Sequence, residues 1–225
     1  MTLLFEVDTP EGPGRWHLDP AAEAFALLAL GHGAGGGVTA MDLALLAREL
    51  PARGITVARF EQPWRLAGRR VAVPPARLDL GWLPAVRALA ERPEAVGLPL
   101  VAGGRSAGAR VACRTASSLD AAAVLCLAFP LHLPGRPERS RLTELLTPAV
   151  PRLVLQGTRD SFGNAAELAA AVEATRPGAD VQVVAIPGAD HGFKTPARAP
   201  FRPADLRALV IASTVRLVTA VSVGN

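Results

Sequence analysis

Six short apolar runs recur along this chain, at 25–30, 55–60, 98–102, 121–128, 152–156 and 181–186, and stretches with helical periodicity separate most of them. Runs of this length without polar alternation fit strands that are covered on both faces. Met41, Leu45, Leu46 and Leu50 share one helical face up to Gly54, and Thr39 with Asp42 three residues on predicts a capping box before them. Further helices are expected over about 79–92, 107–117, 167–175 and 203–219. Strands that alternate with helices imply right-handed crossovers, hence a mainly parallel α/β sheet with helices on both faces. Ahead of it, apolar segments at 3–7 and 15–18 around the turn-rich 10–14 predict a β-hairpin. A proline-rich connection at 61–78 and a long loop at 129–147 with one short helix complete the pattern. No repeat or domain boundary interrupts it, so residues 1–225 are expected to form a single domain with no large lid.

Composition narrows the class further. Half of the residues are hydrophobic and 20% are charged, so the chain can bury a sizeable core and is not disordered. The longest apolar stretches end at Gly31 and Pro130, well short of the roughly 18 residues that a membrane span needs. Glu6 and Asp8 stand where a signal peptide would carry basic residues, which leads to the expectation of a cytoplasmic protein. Cys113 and Cys126 lie among apolar residues and read as small buried hydrophobes rather than a disulfide. The basic side is arginine almost throughout, Lys194 being the one lysine. Its densest stretches, 65–77 and 136–141, are broken by prolines and lack interleaved aromatics beyond Trp64, so no nucleic-acid partner is expected.

In a parallel sheet, chemistry collects in the loops beyond the carboxyl ends of the strands. Four of those loops are unusual. Gly104-Arg105-Ser106-Ala107-Gly108 is a G-x-S-x-G sequence between an expected strand and an expected helix. Chance gives on the order of 0.06 such matches at this glycine and serine content. A sharp strand-to-helix turn exposes its serine and needs small neighbours, and it aims the Ala107 amide at the same point. The plain alternative is a tight glycine turn with an incidental serine. A serine nucleophile needs a base, and the base needs an orienting acid. Of His17, His32, His132 and His191, the last directly follows the final strand, in Gly188-Ala189-Asp190-His191-Gly192. Asp160 follows the penultimate strand, with Asp190 as the rival acid. The order Ser106, Asp160, His191 is that of the α/β-hydrolases.

The fourth loop is Gly31-His32-Gly33-Ala34-Gly35-Gly36-Gly37, where bare backbone could approach a substrate and the Ala34 amide could join that of Ala107 in an oxyanion hole. Gly31, Gly33 and Gly36 also satisfy G-x-G-x-x-G, with Glu61 as a ribose-binding acid, so a dinucleotide-binding oxidoreductase is a competing reading. It leaves Ser106, Asp160 and His191 unexplained, and the helix is capped later than that motif requires. His32 reads as a loop-ordering residue. No histidine or cysteine shows metal-ligand spacing, and neither metal nor cofactor is expected. Trp64, Leu131, His132 and Phe162 are the candidates for pocket walls.

HGAGGG at 32–37, GGRSAGARVA at 103–112, VLQGTRDSFG at 154–163 and GADHGF at 188–193 resemble α/β-hydrolases of the dienelactone-hydrolase-like kind. They are most similar to the small lidless group that includes a testis-expressed protein and a subunit of the nonspecific-lethal complex. Phe129-Pro130-Leu131-His132 followed by Arg141 also fits that group. The resemblance implies Ser106 as nucleophile, Asp160 as acid and His191 as base. Ala107 stands where methionine is more usual, which bears on pocket shape, since the backbone amide carries the chemistry. A serine hydrolase for small or medium acyl esters or thioesters, monomeric or homodimeric, is the expectation. A catalytically silent hydrolase fold that serves as a protein-interaction subunit is its alternative.

Overall fold

The computed structural model describes residues 1–198 and 200–222. Strands β1 (Leu3–Thr9) and β2 (Gly12–Asp19) form the hairpin, followed by β3 (Ala26–Gly31), α1 (Met41–Glu49), β4 (Ile55–Glu61), α2 (Pro63–Leu66) and α3 (Pro75–Ala90). The second half runs β5 (Leu100–Arg105), α4 (Ala107–Thr115), β6 (Ala123–Leu127), α5 (Leu142–Leu146), β7 (Arg152–Gly157), α6 (Ala165–Thr175), β8 (Val181–Ile186) and α7 (Pro203–Ser222). All eight strands join one sheet in the order β1-β2-β4-β3-β5-β6-β7-β8. The hairpin attaches antiparallel to β4, and every pairing from β4 to β8 is parallel. Parallel pairing places the carboxyl ends of β3, β5, β6, β7 and β8 along one edge.

Alternation along each strand divides the core in two. Leu27, Ala29, Ala102, Val124, Cys126 and Val154 meet α3, α4, α5 and α6, whereas Leu28, Leu30, Val101, Leu125, Leu153 and Leu155 meet α1 and α7. Side chains of period two thus build both layers from the same strands, which is why the runs read as continuously apolar. Cys113 and Cys126 are buried free thiols with their sulfurs 3.5 Å apart. That contact with Cys113, together with burial, pushes the Cys126 thiol well above its ordinary pKa, so it packs as a neutral group.

Several boundaries differ from expectation. No side chain caps α1, and Ala40 rather than Thr39 precedes it, because the Asp42 carboxylate is drawn to Arg105. Helix α3 begins at Pro75, four residues early, since a proline suits the first helical position. The connection before it contains the single turn α2. Strand β5 continues to Arg105 because Gly103 and Gly104 still pair with β3 and β6 on either side. The hairpin turn is tighter than 10–14: Thr9 pairs directly with Gly12, and the Thr9 hydroxyl donates to the Gly12 carbonyl at 2.7 Å.

Candidate active site

Ser106 sits between β5 and α4 at φ 52° and ψ −107°, a conformation that costs a non-glycine residue on the order of 1–3 kcal/mol. Its surroundings hold it there. The Ser106 amide donates to the Leu127 carbonyl at 2.9 Å, and the helix head lies hard against β3. A Cβ on Gly104 would stand 2.5 Å from the Gly31 carbonyl oxygen, and one on Gly108 would also collide with Gly31. The glycines of this turn therefore admit the close crossing of β3 and α4 that raises the serine hydroxyl above the sheet.

The hydroxyl meets a ring from the other end of the chain. Ser106 Oγ is 3.0 Å from His191 Nε2, and His191 Nδ1 is 2.8 Å from Asp160 Oδ2. The buried Asp160 carboxylate accepts two further bonds, from the Phe162 amide at 2.8 Å and from Gln156 Nε2 at 3.0 Å. These two bonds fix the carboxylate plane so that Oδ2 faces the imidazole. Gln156 Nε2 is also shared with the Phe129 and Gly163 carbonyls at 3.1 and 2.6 Å, while its Oε1 has no partner among the described residues. Flipping that amide would set oxygen against three acceptors, so its orientation is dictated. The Phe162 ring lies 4.2 Å from the His191 ring, centroid to centroid, at 30°. Asp190, the rival acid, is consumed by its own turn, accepting from the Gly192 and Lys194 amides at 2.8 and 2.9 Å. Arg105 adds a tie that sequence reasoning missed. Its guanidinium bonds both Asp42 on α1 and the His191 carbonyl, so it links the serine turn to the histidine loop.

The glycine loop after β3 closes the other side. His32 is buried within it, its Nδ1 bonded to the Gly33 carbonyl at 2.9 Å and its Nε2 accepting from the Gln62 amide at 3.2 Å. Burial lowers its pKa, so it stays a neutral ring that orders the loop. The amides of Ala34 and Ala107 donate to no acceptor among the described residues. Gly31, Gly33 and Gly36 do not open a helix; α1 starts only at Met41, which removes the helix N-terminus that a dinucleotide pyrophosphate would use.

Between these loops lies a cavity of about 470 Å³ lined by Ala34, Ser106, Ala107, Phe162 and His191. Of the four expected wall residues, only Phe162 lines it. The other three point elsewhere: Trp64 packs on His32 at 5.5 Å, Leu131 is buried in the core, and His132 is held by the Leu133 carbonyl and Glu167, at 2.8 Å each. Pro130, Leu133, Arg110 and Arg141 form the wall instead. Among the described residues, no group of three or more potential ligands is gathered for a metal ion, and no helix is long and apolar enough to cross a membrane.

A family model described as an alpha/beta hydrolase domain matches residues 24–219, from just before β3 into α7. The chain belongs to that family. Comparison with curated proteins returns no match. Among solved structures, it is similar to an α/β serine hydrolase without lid from Xanthomonas campestris, with 22% identity and a TM-score of 0.70 over 96% of this chain and 94% of that one. A dienelactone hydrolase from Anabaena variabilis shares 18% identity at a TM-score of 0.72, covering 96% and 98% of the two chains. Esterase 2 of Thermogutta terrifontis, solved phosphorylated by paraoxon, shares 18% identity at 0.71, covering 97% and 94%. At these identities the likeness is one of fold: an α/β-hydrolase sheet with its N-terminal hairpin and, among the described residues, no large lid over Ser106.

Proposed function

We propose that this α/β-hydrolase family member is a serine hydrolase that cleaves small or medium acyl esters or thioesters through an acyl-enzyme. The observation that carries the reading is the unbroken relay from Ser106 through His191 to Asp160, at 3.0 and 2.8 Å. His191 Nε2 takes the Ser106 proton as Oγ attacks the acyl carbonyl carbon. Asp160 keeps the proton on Nδ1 and stabilises the imidazolium that forms. Negative charge then gathers on the carbonyl oxygen, where the unoccupied Ala34 and Ala107 amides and the N-terminus of α4 favour it. Collapse expels the alcohol or thiol with the proton from His191. A water deprotonated by the same ring attacks the acyl-enzyme and frees the acid. The strain at Ser106 supports this reading, since such strain persists where the surroundings over-determine a functional geometry.

Hydrolysis of p-nitrophenyl acetate tests it. Wild-type protein should release a burst of nitrophenol that matches the enzyme concentration, and Ser106→Ala should abolish it. Equal turnover in Ser106→Ala would remove the serine from the mechanism, and folded wild type without turnover would favour the silent, protein-binding alternative.

A further inference from the structure

Three guanidinium groups line the cavity beside Ser106, and no carboxylate of the described residues does. Two of the three are spent. Arg105 is held by Asp42 and the His191 carbonyl. Arg110 grips Glu144 in a two-pronged pair, Nε to Oε2 at 2.9 Å and Nη2 to Oε1 at 2.6 Å, and Glu144 also receives Arg114 at 2.6 Å. Arg141 is different. Its one side-chain bond among the described residues runs to the Pro130 carbonyl at 3.3 Å, and no described carboxylate pairs with it. Its backbone is fixed by a 2.7 Å bond from its amide to the Leu131 carbonyl, which holds the residue at the cavity wall. Partial burial and the nearby Arg110 charge push its pKa down against the opposing pull of the Glu144 charge, which Arg110 and Arg114 already hold, so its surroundings leave the cation undercompensated.

We propose that Arg141 is the specificity-determining residue of this site and binds a carboxylate carried by the ester that Ser106 attacks. The inference rests on the serine-hydrolase reading above. A guanidinium presents donors in a planar fork that matches a carboxylate, and such charge-assisted bonds are stronger than neutral ones. A cavity of about 470 Å³ suits a short bifunctional ester rather than a long acyl chain. The anion can sit on either side of the scissile bond, and two sets of esters tell the sides apart. Monomethyl succinate, glutarate and adipate carry it on the acyl side, with methyl hexanoate as the neutral partner. 4-Acetoxybenzoate carries it on the leaving group, with phenyl acetate as its partner.

In one of these arms, Arg141→Gln should lower kcat/KM about 10-fold to 100-fold, chiefly through KM, with Arg141→Lys falling less. The neutral partners should change by less than about threefold, and unchanged melting temperatures should show that both variants fold. Calorimetry on Ser106→Ala supplies a readout independent of turnover. The carboxylate esters should bind, and should lose binding when Arg141→Gln is added. Neutral and anionic esters that respond alike to Arg141→Gln would overturn the inference while the hydrolase reading stands. Should the wild type cleave none of these esters and take up no serine-directed fluorophosphonate, the hydrolase reading fails instead. Calorimetry then decides Arg141 alone: binding that depends on it supports the carboxylate site, and absent or unchanged binding overturns it.

Discussion

His191 and His132 lie in loops at the same edge of the sheet, and each ring has both nitrogens bonded, yet their partners suit them to opposite roles. His132 stands between two acceptors, the Leu133 carbonyl and the Glu167 carboxylate, at 2.8 Å each. Two acceptors hold two ring protons. The bond to Leu133 raises its pKa most, burial opposes it, and Glu167 adds to the rise, so the ring is a fixed clamp between the β6–α5 loop and α6 whose grip is strongest when it is protonated. His191 has one acceptor, Asp160, and one hydroxyl that can either donate or accept. Only the second arrangement lets a proton come and go on Nε2. In the proposed mechanism it is the partner set, rather than the imidazole, that separates a structural histidine from a reactive one.

Four substitutions would break or sharpen that contrast. His191→Ala should lower kcat for p-nitrophenyl acetate by about 10⁴-fold or more with little change in melting temperature. A comparable loss of stability would make His191 a clamp as well. Asp160→Asn should cost up to about 10⁴-fold in kcat, because an amide no longer holds the tautomer with Nε2 free, and steady-state kinetics reads this directly. His132→Ala should leave turnover within about threefold but remove a partly exposed charged bond of about 1 kcal/mol, a melting shift of about 2–4 °C by calorimetry. The smallest effect concerns pH. A raised folded pKa gives stability that is fully present below about pH 6.5 and fades as pH climbs through the folded value. Glu167→Gln should therefore shrink the fall in melting temperature above pH 6.5, and an unaltered profile would show that the ring does not titrate with that carboxylate.

The same contrast marks what the sequence makes legible. Ser106, Asp160 and His191 each follow a strand in a short turn-rich motif, and parallel pairing brings strand ends together, so their convergence can be read from order alone. Doubly covered strands such as 55–60 read clearly for a related reason, since both faces demand apolar side chains. Direction within a loop is another matter. Nothing local distinguishes Phe162, which faces the cavity, from Leu131, which turns into the core. Charges are harder still. Asp42 looks like a capping residue until Arg105, 63 positions away, takes its carboxylate. Arg141 stands out only once Arg110 is seen to have claimed Glu144. Long-range competition for a partner decides both cases, and periodicity carries no trace of it.

In the proposed mechanism, one hydroxyl among the chain's serines is activated by the ring beside it. Intact-mass analysis after exposure to a fluorophosphonate tests it most directly. A single adduct should form that maps to Ser106, is absent in Ser106→Ala and forms far more slowly in His191→Ala. An adduct that persists in Ser106→Ala, or labelling that is indifferent to His191, would contradict it.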